Sequence, residues 1–299
     1  MTQIPRSADA AAEAPRTPAP AAVRSARRRG GTALIIAGSI LVSLVLAMAL
    51  VSLVWTPQDP TATNAVNRLA SPSAEHWLGT DGLGRDIASM LLAGSRVPLL
   101  VGLGTVSVGF LIGVPFGIAA AMTDRGAGTW MMRGNDILQA FPALLLAIIL
   151  AAVFGPSTST AIIALGLGLA PGVARVARSG TLQVLSREYA LAARAAGRGR
   201  LYMAVRHVLP NIRGILIVQA TVGFAIAILA EAALSYLGLG TPPPAASWGR
   251  MLQDGQSVLH IAPLTVLWPG AAVATAVLGF NLLGDGLRDR FDPRMDVTR

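Results

Sequence analysis

Six long apolar runs constrain the fold of this 299-residue chain more than any other feature. They occupy residues 32–55, 98–122, 136–154, 158–178, 212–238 and 263–285. A helix rises about 1.5 Å per residue, so each run reaches or nearly reaches the roughly 30 Å hydrocarbon core of a bilayer. The weakest run is 158–178, because Pro171 and Gly172 interrupt it and Arg175 closes it. The sequence therefore predicts an all-α polytopic membrane protein with six transmembrane helices.

The residue types that are missing exclude several kinds of chemistry. The chain is 53% apolar and 13% charged, which is unusual for a soluble domain. It has no cysteine, which excludes disulfides and thiolate metal sites, and its three histidines are scattered. All 24 basic residues are arginine, so the lysine of a nucleotide-binding P-loop is absent. We expect no metal site, no bound cofactor and no ATPase site in this chain.

The first 31 residues are rich in alanine, proline and arginine and predict a disordered tail. Three arginines, 27–29, then precede the first apolar run, in the order found in a signal peptide. Ala47 and Ala49 offer a small-x-small cleavage site. The run is too long for a typical signal core, which favours an uncleaved first span, and support for a twin-arginine export signal is weaker.

The arginines also predict the orientation of the chain. If the spans alternate from a cytoplasmic N-terminus, 20 of the 24 arginines lie in cytoplasmic segments. The outer segments hold only Arg68, Arg85, Arg96 and Arg250. The positive-inside rule therefore places both termini in the cytoplasm. The net charge of +9 is explained by this topology and needs no nucleic-acid partner.

These observations divide the chain into four predicted parts. Residues 1–31 form the cytoplasmic tail, and residues 32–97 form the first transmembrane helix with an outer segment. Residues 98–285 form a five-helix core that includes a cytoplasmic loop at 180–211, and residues 286–299 form a C-terminal cytoplasmic tail. In the second span, Gly109, Gly113 and Gly117 repeat every four residues and predict a helix-packing face, beside which Pro115 predicts a kink.

The loop at 180–211 carries charge between two apolar runs. Ser186 is the predicted N-cap of a helix that is rich in alanine and broken at Gly197 and Gly199. A second piece runs over residues 201–208, and Pro210 is expected to stop it before the next span. A basic segment resting on anionic lipid is one interpretation. The small alanines and the glycine turn favour contact with another protein.

Several residues on the outer side are further candidates. Residues 76–86 predict a capped turn before an interfacial helix at 85–96, with Arg85 paired to Asp81 or Asp86. Glu231 lies well inside a span, where it either contacts the solute pathway or packs between helices. Ser235, Tyr236 and Trp248 follow it, and three prolines at 242–244 with Trp248 predict a stiff outer loop with an interfacial aromatic side chain, suited to a gate or docking surface.

The charged loop resembles the "EAA" loop of importer-type ABC permeases at Ala192, Ala193, Gly197, Leu209 and Pro210. It departs from that loop where Leu191 replaces the usual glutamate before the alanine pair. An acidic residue stands earlier, in Glu188–Tyr189, as is typical of the peptide branch.

Residues 76–86, HWLGTDGLGRD, resemble the signature of the C-type subunit of dipeptide, oligopeptide and nickel importers. The stretches 231–252 and 280–293 resemble other parts of the same subunit.

This resemblance implies the type I ABC importer permease fold and a place in the cytoplasmic membrane. It further implies a homologous second permease subunit in a heterodimer, two ABC ATPase subunits or a fused ATPase that bind ATP and Mg, and an extracytoplasmic substrate-binding protein. The residues expected to couple to the ATPase are Glu188, Tyr189, Ala192, Ala193, Arg194, Gly197, Leu209 and Pro210.

The solute implied is a short peptide, with a nickel chelate or another small solute as the alternative. An ion-coupled secondary transporter and a membrane scaffold without transport activity are rival functions. Only Glu231 supports a secondary transporter, and one intramembrane acid is weak support for ion coupling. The second leaves the alanine–glycine loop without a purpose.

Overall fold

The structure is a computed structural model, and it describes residues 21–291. Within that range the chain is almost entirely helical, and its only β-type pairing is the isolated bridge between Thr80 and Asp86. The helices are α1 Ala21–Val54, α2 Ile87–Gly94, α3 Arg96–Met122, α4 Arg125–Ala140, α5 Ala143–Phe154, α6 Thr158–Leu185, α7 Glu188–Ala195, α8 Arg200–Tyr202, α9 Leu209–Tyr236, α10 Trp248–Gln256 and α11 Leu264–Phe291. A π-helical turn, Met203–Val208, joins α8 to α9.

Five helical segments are long and apolar enough to cross a membrane: Gly31–Val54, Ile87–Met122, Thr158–Leu185, Arg200–Tyr236 and Leu264–Phe291. A sixth span is present only if α4 and α5, which are bent by 72° at their junction, are counted together. The predicted count of six thus depends on this broken pair. By itself, α5 is about 18 Å long, which is shorter than the hydrocarbon core.

The break in the predicted run 136–154 lies at Phe141 and Pro142. Phe141 adopts an extended conformation (φ −80°, ψ 122°), since a residue before proline is pushed out of the helical region. Pro171 was expected to interrupt the next run, yet α6 continues through it to Leu185. The Asn135 side chain donates a hydrogen bond to the Pro171 carbonyl (3.1 Å), which ties α4 to α6 at this proline.

Small residues allow α3 and α6 to approach closely. Gly109, Gly113 and Gly117 are buried on one face of α3. A Cβ added at Gly113 would lie 2.5 Å from the Ala170 carbonyl oxygen, and one at Gly109 would lie 3.0 Å from Leu169. Helix α3 remains one helix with Pro115 inside it. These three glycines therefore lie where the backbones of α3 and α6 meet.

Helix α1 packs along α11. A Cβ at Gly38 would lie 2.5 Å from the Leu283 nitrogen, and Val45 is buried in the core that α1 shares with α2, α9, α10 and α11. Phe224 of α9 and Phe280 of α11 stack there with ring centroids 4.1 Å apart. Residues 31–54 are thus part of the bundle, and the uncleaved first span stays a prediction.

Helices extend into both of the predicted terminal segments. Helix α1 begins at Ala21, inside the segment 1–31 that was predicted to be disordered. Helix α11 continues to Phe291, past the predicted boundary at 285. The remaining tail predictions concern residues 1–20 and 292–299, which lie outside the described residues.

The bundle has two ends with different contents. The arginine-rich end holds α7, α8 and the neighbouring connections 186–187 and 196–199. The opposite end holds residues 55–95, which include α2, and residues 237–263, which include α10. The candidate functional residues divide between these two ends.

Candidate functional site

At the arginine-rich end, α7 begins directly after α6. Ser186 was the predicted N-cap of this helix, but it belongs to the last turn of α6, where its N–H donates to the Leu182 carbonyl (3.2 Å) and its hydroxyl to the Gln183 carbonyl (2.9 Å). The Ser186 prediction was therefore wrong, and the residue before α7 is Arg187. Glu188 lies in the first turn and Arg194 in the last, where each charge favours the helix dipole.

Helix α7 ends at a glycine turn. Gly197 has φ +76°, a conformation that side-chain-bearing residues rarely adopt. Its N–H donates to the Arg194 carbonyl (3.0 Å), and the Arg198 N–H donates to the Ala193 carbonyl (3.2 Å). This is the Schellman pattern of helix termination. No atom lies within 4 Å of the position that a Gly197 Cβ would take, so the turn points away from the rest of the chain.

Most of α7 is exposed, and only one of its residues is buried. Ala190 is fully buried and holds the helix to the bundle. The Tyr189 ring lies 5.9 Å from the His207 ring and adds a second contact. Ala192 and Arg194 are exposed and Ala193 is half-buried. The result is an exposed helix surface on which the small side chains of Ala192 and Ala193 lie beside the larger ones of Tyr189 and Leu191.

The sequence predicted that the helix would end at Leu209 and Pro210, but it continues through them. The π-helical turn runs directly into α9, and Pro210 lies in the first turn of that helix. The π-helical turn before Pro210 interrupts the regular α-helical hydrogen-bond pattern, which accommodates the missing N–H of the proline. Val208 and Ile212, on either side of it, are buried against Val184 of α6. Residues 200–236 therefore form one continuous helical rod.

The charges on this loop have no ion-pair partners within the described part of the chain. No ion pair shorter than 4.0 Å joins Glu188, Arg187 or Arg194 to an opposite charge there. Arg198 stacks over the Tyr202 ring at 4.8 Å. Groups that could pair with a second protein are thus left available.

At the opposite end, charged groups pair with one another. Arg85 Nη2 lies 2.6 Å from Asp81 and 2.8 Å from Asp254 of α10. Of the two predicted partners of Arg85, the structure therefore has Asp81. Asp86 instead caps α2: it accepts a hydrogen bond from the Ser89 N–H (2.8 Å), and it lies 3.1 Å from His76. Burial opposes the Arg85 charge, but the hydrogen bonds with Asp254 and Asp81 outweigh it and raise the pKa of Arg85 above its ordinary value.

Two predictions for this end were wrong. The helix expected at 85–96 is α2, Ile87–Gly94, and it is mostly buried rather than interfacial. Trp248 is fully buried too, so it is not an interfacial aromatic. Its indole N–H donates to the Leu91 carbonyl (3.0 Å), and its ring fills the space next to Gly94. Trp248 therefore pins α10 to α2.

Glu231 is sealed inside the chain rather than open to water. It is 1% exposed, and its Oε1 accepts a hydrogen bond from the Ser235 hydroxyl (2.7 Å). Its Oε2 has no partner among the described residues. Ser235 also accepts from the Thr241 N–H (3.2 Å), while Tyr236, the last residue of α9, is 36% exposed. The structure thus brings Glu231 and Ser235 together and leaves Tyr236 at the surface.

The sequence reading missed an ion pair between Asp136 of α4 and Arg175 of α6. Their side chains meet at 2.6 Å and are 55% and 54% exposed, respectively. Both residues stand at the edge of an apolar run, where Arg175 was interpreted only as the end of a span. A charge at such a position was the one available signal.

The described features match known membrane transport proteins. The family described as "Binding-protein-dependent transport system inner membrane component" matches residues 113–297. A dipeptide transport system permease protein of Alkalihalophilus pseudofirmus is 41% identical over 262 residues, which cover 88% of this chain and 86% of that protein. A putative peptide transport system permease protein of Brucella suis is 43% identical over 259 residues, 86% of this chain and 87% of that protein.

Solved structures agree on the fold. An inward-facing form of the MetNI methionine ABC transporter matches with a TM-score of 0.55 and 19% identity, over 66% of this chain and 93% of that one. An amino acid ABC transporter matches with a TM-score of 0.51 and 17% identity, over 65% and 91%. The helical bundle therefore has the fold of ABC importer permeases.

Proposed function

This chain belongs to the family of binding-protein-dependent transport system inner membrane components, and on that premise we propose that it is one of two homologous permease subunits of an ATP-driven importer of short peptides. The relatives described above are named as dipeptide or peptide permeases, which supports peptides over nickel chelates. Membership implies ATPase and substrate-binding partners. The heterodimer with a second, different permease is part of the proposal.

The observation that carries the proposal is the exposed helix α7. Its alanines present a low surface that fits a cleft, and its charges are unpaired in the described chain. The excess of arginine at this end supports a cytoplasmic location, where an ATPase would bind. In the proposal, Glu188, Tyr189, Ala192, Ala193, Arg194 and the Gly197 turn contact the ATPase.

The connections of α7 suggest how movement of the ATPase would reach the membrane. Two residues, 186–187, separate α7 from α6, and the rod 200–236 begins shortly after the Gly197 turn. Leu209 and Pro210 lie within that rod, directly after the π-helical turn, and do not end it. Displacement of α7 would therefore move α6 and α9 together. Closure of an ATPase dimer would drive such rocking through its different contacts in the two states.

The four residues predicted to line or gate the solute pathway differ in how well they could contact a solute. The closed surroundings of Glu231, Ser235 and Trp248 favour packing of α9 against α10 over direct contact with solute. Tyr236 is the one member of this group with an exposed ring that could face a partner. A secondary transporter would use an intramembrane acid for ion coupling, and the sealed Glu231 gives that rival no further support.

The test is reconstitution of the chain with a companion permease, ATPase subunits and binding protein in liposomes. We expect peptide uptake to require ATP and hydrolysis to rise when loaded binding protein is added. Uptake that persists without any ATPase subunit, and collapses when a proton or sodium gradient is removed, would overturn the proposal.

A further inference from the structure

The Asp136–Arg175 pair differs from every other ion pair in the described chain. The others lie at residues 76–86 and 250–254, at the opposite end and outside the candidate spans. Arg175 instead lies within α6, about 26 Å along the helix from its start and about 15 Å from its end. Helix α6 is about 42 Å long, which exceeds the roughly 30 Å hydrocarbon core, so the pair lies in the part of the span nearer the arginine-rich end.

The pair is held in a fixed position by the packing beside it. Asn135, the neighbour of Asp136, is buried and donates to the Pro171 carbonyl one turn before Arg175 (3.1 Å). This bond sets the register of α4 against α6. It keeps the backbones at Asp136 and Arg175 next to each other, while their exposed side chains remain free to separate.

The surface around the pair belongs to the broken span. All residues from 136 to 141 are exposed, including Ile137 (66%), Leu138 (65%) and Phe141 (58%). They lead into the bend at Pro142, so helix regularity is lost next to the charges. Irregular backbone at membrane depth is tolerated where it contacts protein or lines a water-filled cavity.

The exposed face of α1 is different. Its exposed side chains, such as Ile36, Ile40 and Leu44, are apolar like those of residues 137 and 138, but residues 32–54 contain no charge. That face suits lipid. A half-exposed ion pair facing hydrocarbon would be costly, so charged groups within spans face water or protein. The surface immediately around Asp136 and Arg175 is therefore expected to meet water or protein rather than lipid.

We propose that Asp136 and Arg175 form a binding station in the solute pathway for solutes that carry both an ammonium and a carboxylate group. This inference rests on the proposed importer function and deepens it. An exposed ion pair contributes only about 0–1 kcal/mol, so its two partners separate at little cost. The guanidinium then binds the solute carboxylate, with its paired N–H donors, and Asp136 binds the ammonium.

The exchange conserves charge at every stage. Two internal charges leave each other and meet two charges of opposite sign on the solute, so no uncompensated charge is created at membrane depth. A short peptide with free termini carries both groups. A peptide with blocked termini offers neither, and it would leave the internal pair in place.

The absence of native cysteine makes this station accessible to chemical labelling. Asp136→Cys, Arg175→Cys and Gln139→Cys, which lies on the same exposed face and keeps the pair, are made singly in the reconstituted complex. Ile40→Cys on α1 is the control for lipid exposure. The rates of reaction with cationic and anionic water-soluble methanethiosulfonate reagents are measured, since only a thiolate in contact with water reacts.

We expect the thiol of the Arg175→Cys variant, left beside Asp136, to prefer the cationic reagent by about tenfold, as expected for one local charge. The thiol of the Asp136→Cys variant, left beside Arg175, should reverse that preference. Position 139 reacts without strong preference and position 40 is inert. A peptide with free termini slows labelling at 139 severalfold, and its N-acetyl, C-amide form does not.

Failure of the station and failure of the importer function give different results. ATP-driven uptake is measured in the parent complex and in Gln139→Cys. If uptake is normal while positions 136, 139 and 175 are inert, the pair packs against the second permease and the inference is wrong. Reactivity without reversed charge preference, or equal protection by the blocked peptide, also overturns it. Absence of ATP-driven uptake in the parent overturns the proposed function itself.

Discussion

The two ends of the bundle treat their charged and exposed groups in opposite ways. At the end formed by residues 55–95 and 237–263, which lies opposite the arginine-rich end, Arg85 pairs with both Asp81 and Asp254. Trp248 packs α10 against α2 there. At the arginine-rich end, α7 keeps a single buried residue, Ala190, and its charges have no ion-pair partner in residues 21–291. One end is complete within the chain. The other presents a surface that a second protein can complete.

Because of this difference, substitutions at the two ends are expected to affect different properties: stability at one end and transport function at the other. Substitutions at the opposite end are expected to change how firmly the chain folds, because the contacts there are internal. Substitutions on α7 are expected to change what the assembled complex does, because the contacts there are absent from the single chain. Each prediction below tests one side of that separation.

The largest effect on transport function is expected for Gly197→Trp. The indole adds bulk to the exposed turn, and a non-glycine residue at φ +76° is strained by about 1–2 kcal/mol. We expect at least a tenfold, or roughly 1.4 kcal/mol, loss of hydrolysis stimulated by loaded binding protein, with normal assembly. Gly197→Ala carries the strain without the bulk and should be intermediate. Gly126→Trp, at an open glycine of α4, is the control. Full stimulation of the Gly197→Trp complex would remove α7 from the coupling role.

Trp248→Ala should have the largest effect on stability at the opposite end. It removes a fully buried ring and its hydrogen bond to Leu91, at an expected cost of about 3–5 kcal/mol. The measurement is the midpoint of thermal loss of monodisperse complex in detergent. Trp77→Ala is the matched control, because that ring is 57% exposed. Equal shifts for the two variants would contradict the burial of Trp248.

A smaller effect is expected for the link between Arg85 and Asp254. A double-mutant cycle with Arg85→Gln and Asp254→Asn should give a coupling free energy of about 1 kcal/mol, since the two side chains are only 17% and 30% exposed. The coupling should weaken at high salt. A coupling of zero at low salt would show that α10 is not held by this pair.

The smallest effect is expected for Glu231→Gln. The amide oxygen still accepts from Ser235, and the new amino group replaces an oxygen that has no partner among the described residues. Uptake per complex should stay within about twofold of the parent, because the shape of the side chain and its hydrogen bond with Ser235 are kept. If the Glu231→Gln complex lost uptake while its stability stayed normal, Glu231 would have a direct role in the pathway or its gate.

The local features of α7 could be predicted from the sequence, whereas the long-range contacts could not. An alanine-rich segment ending at Gly197 predicts a short helix with a glycine turn, because helix propensity and the φ preference of glycine act within a few residues. Trp248 donates to a carbonyl 157 residues away, and Arg85 pairs with Asp254 across 169 residues. Such distances leave no periodic signal, so Trp248 resembled an interfacial residue.

The three helix-breaking signals show the same limit. Pro142 breaks a span, Pro171 does not, and Pro210 is absorbed after a π-helical turn. Each proline lacks the same N–H, and the outcome depends on what packs around it, such as Asn135 at the Pro171 carbonyl. The Asp136–Arg175 pair, 39 residues apart, follows from this packing and was invisible for the same reason.

The most direct test of the account is proximity between α7 and the ATPase. Ala192→Cys is the only thiol in a chain without cysteine, so a photoactivatable cross-linker attached there reports one position. In membranes that contain the whole complex, we predict cross-linking to the ATPase subunit at residue 192 and none from Trp77→Cys at the opposite end. Cross-linking to the ATPase from residue 77, or to the binding protein from residue 192, would contradict the assignment of the two ends.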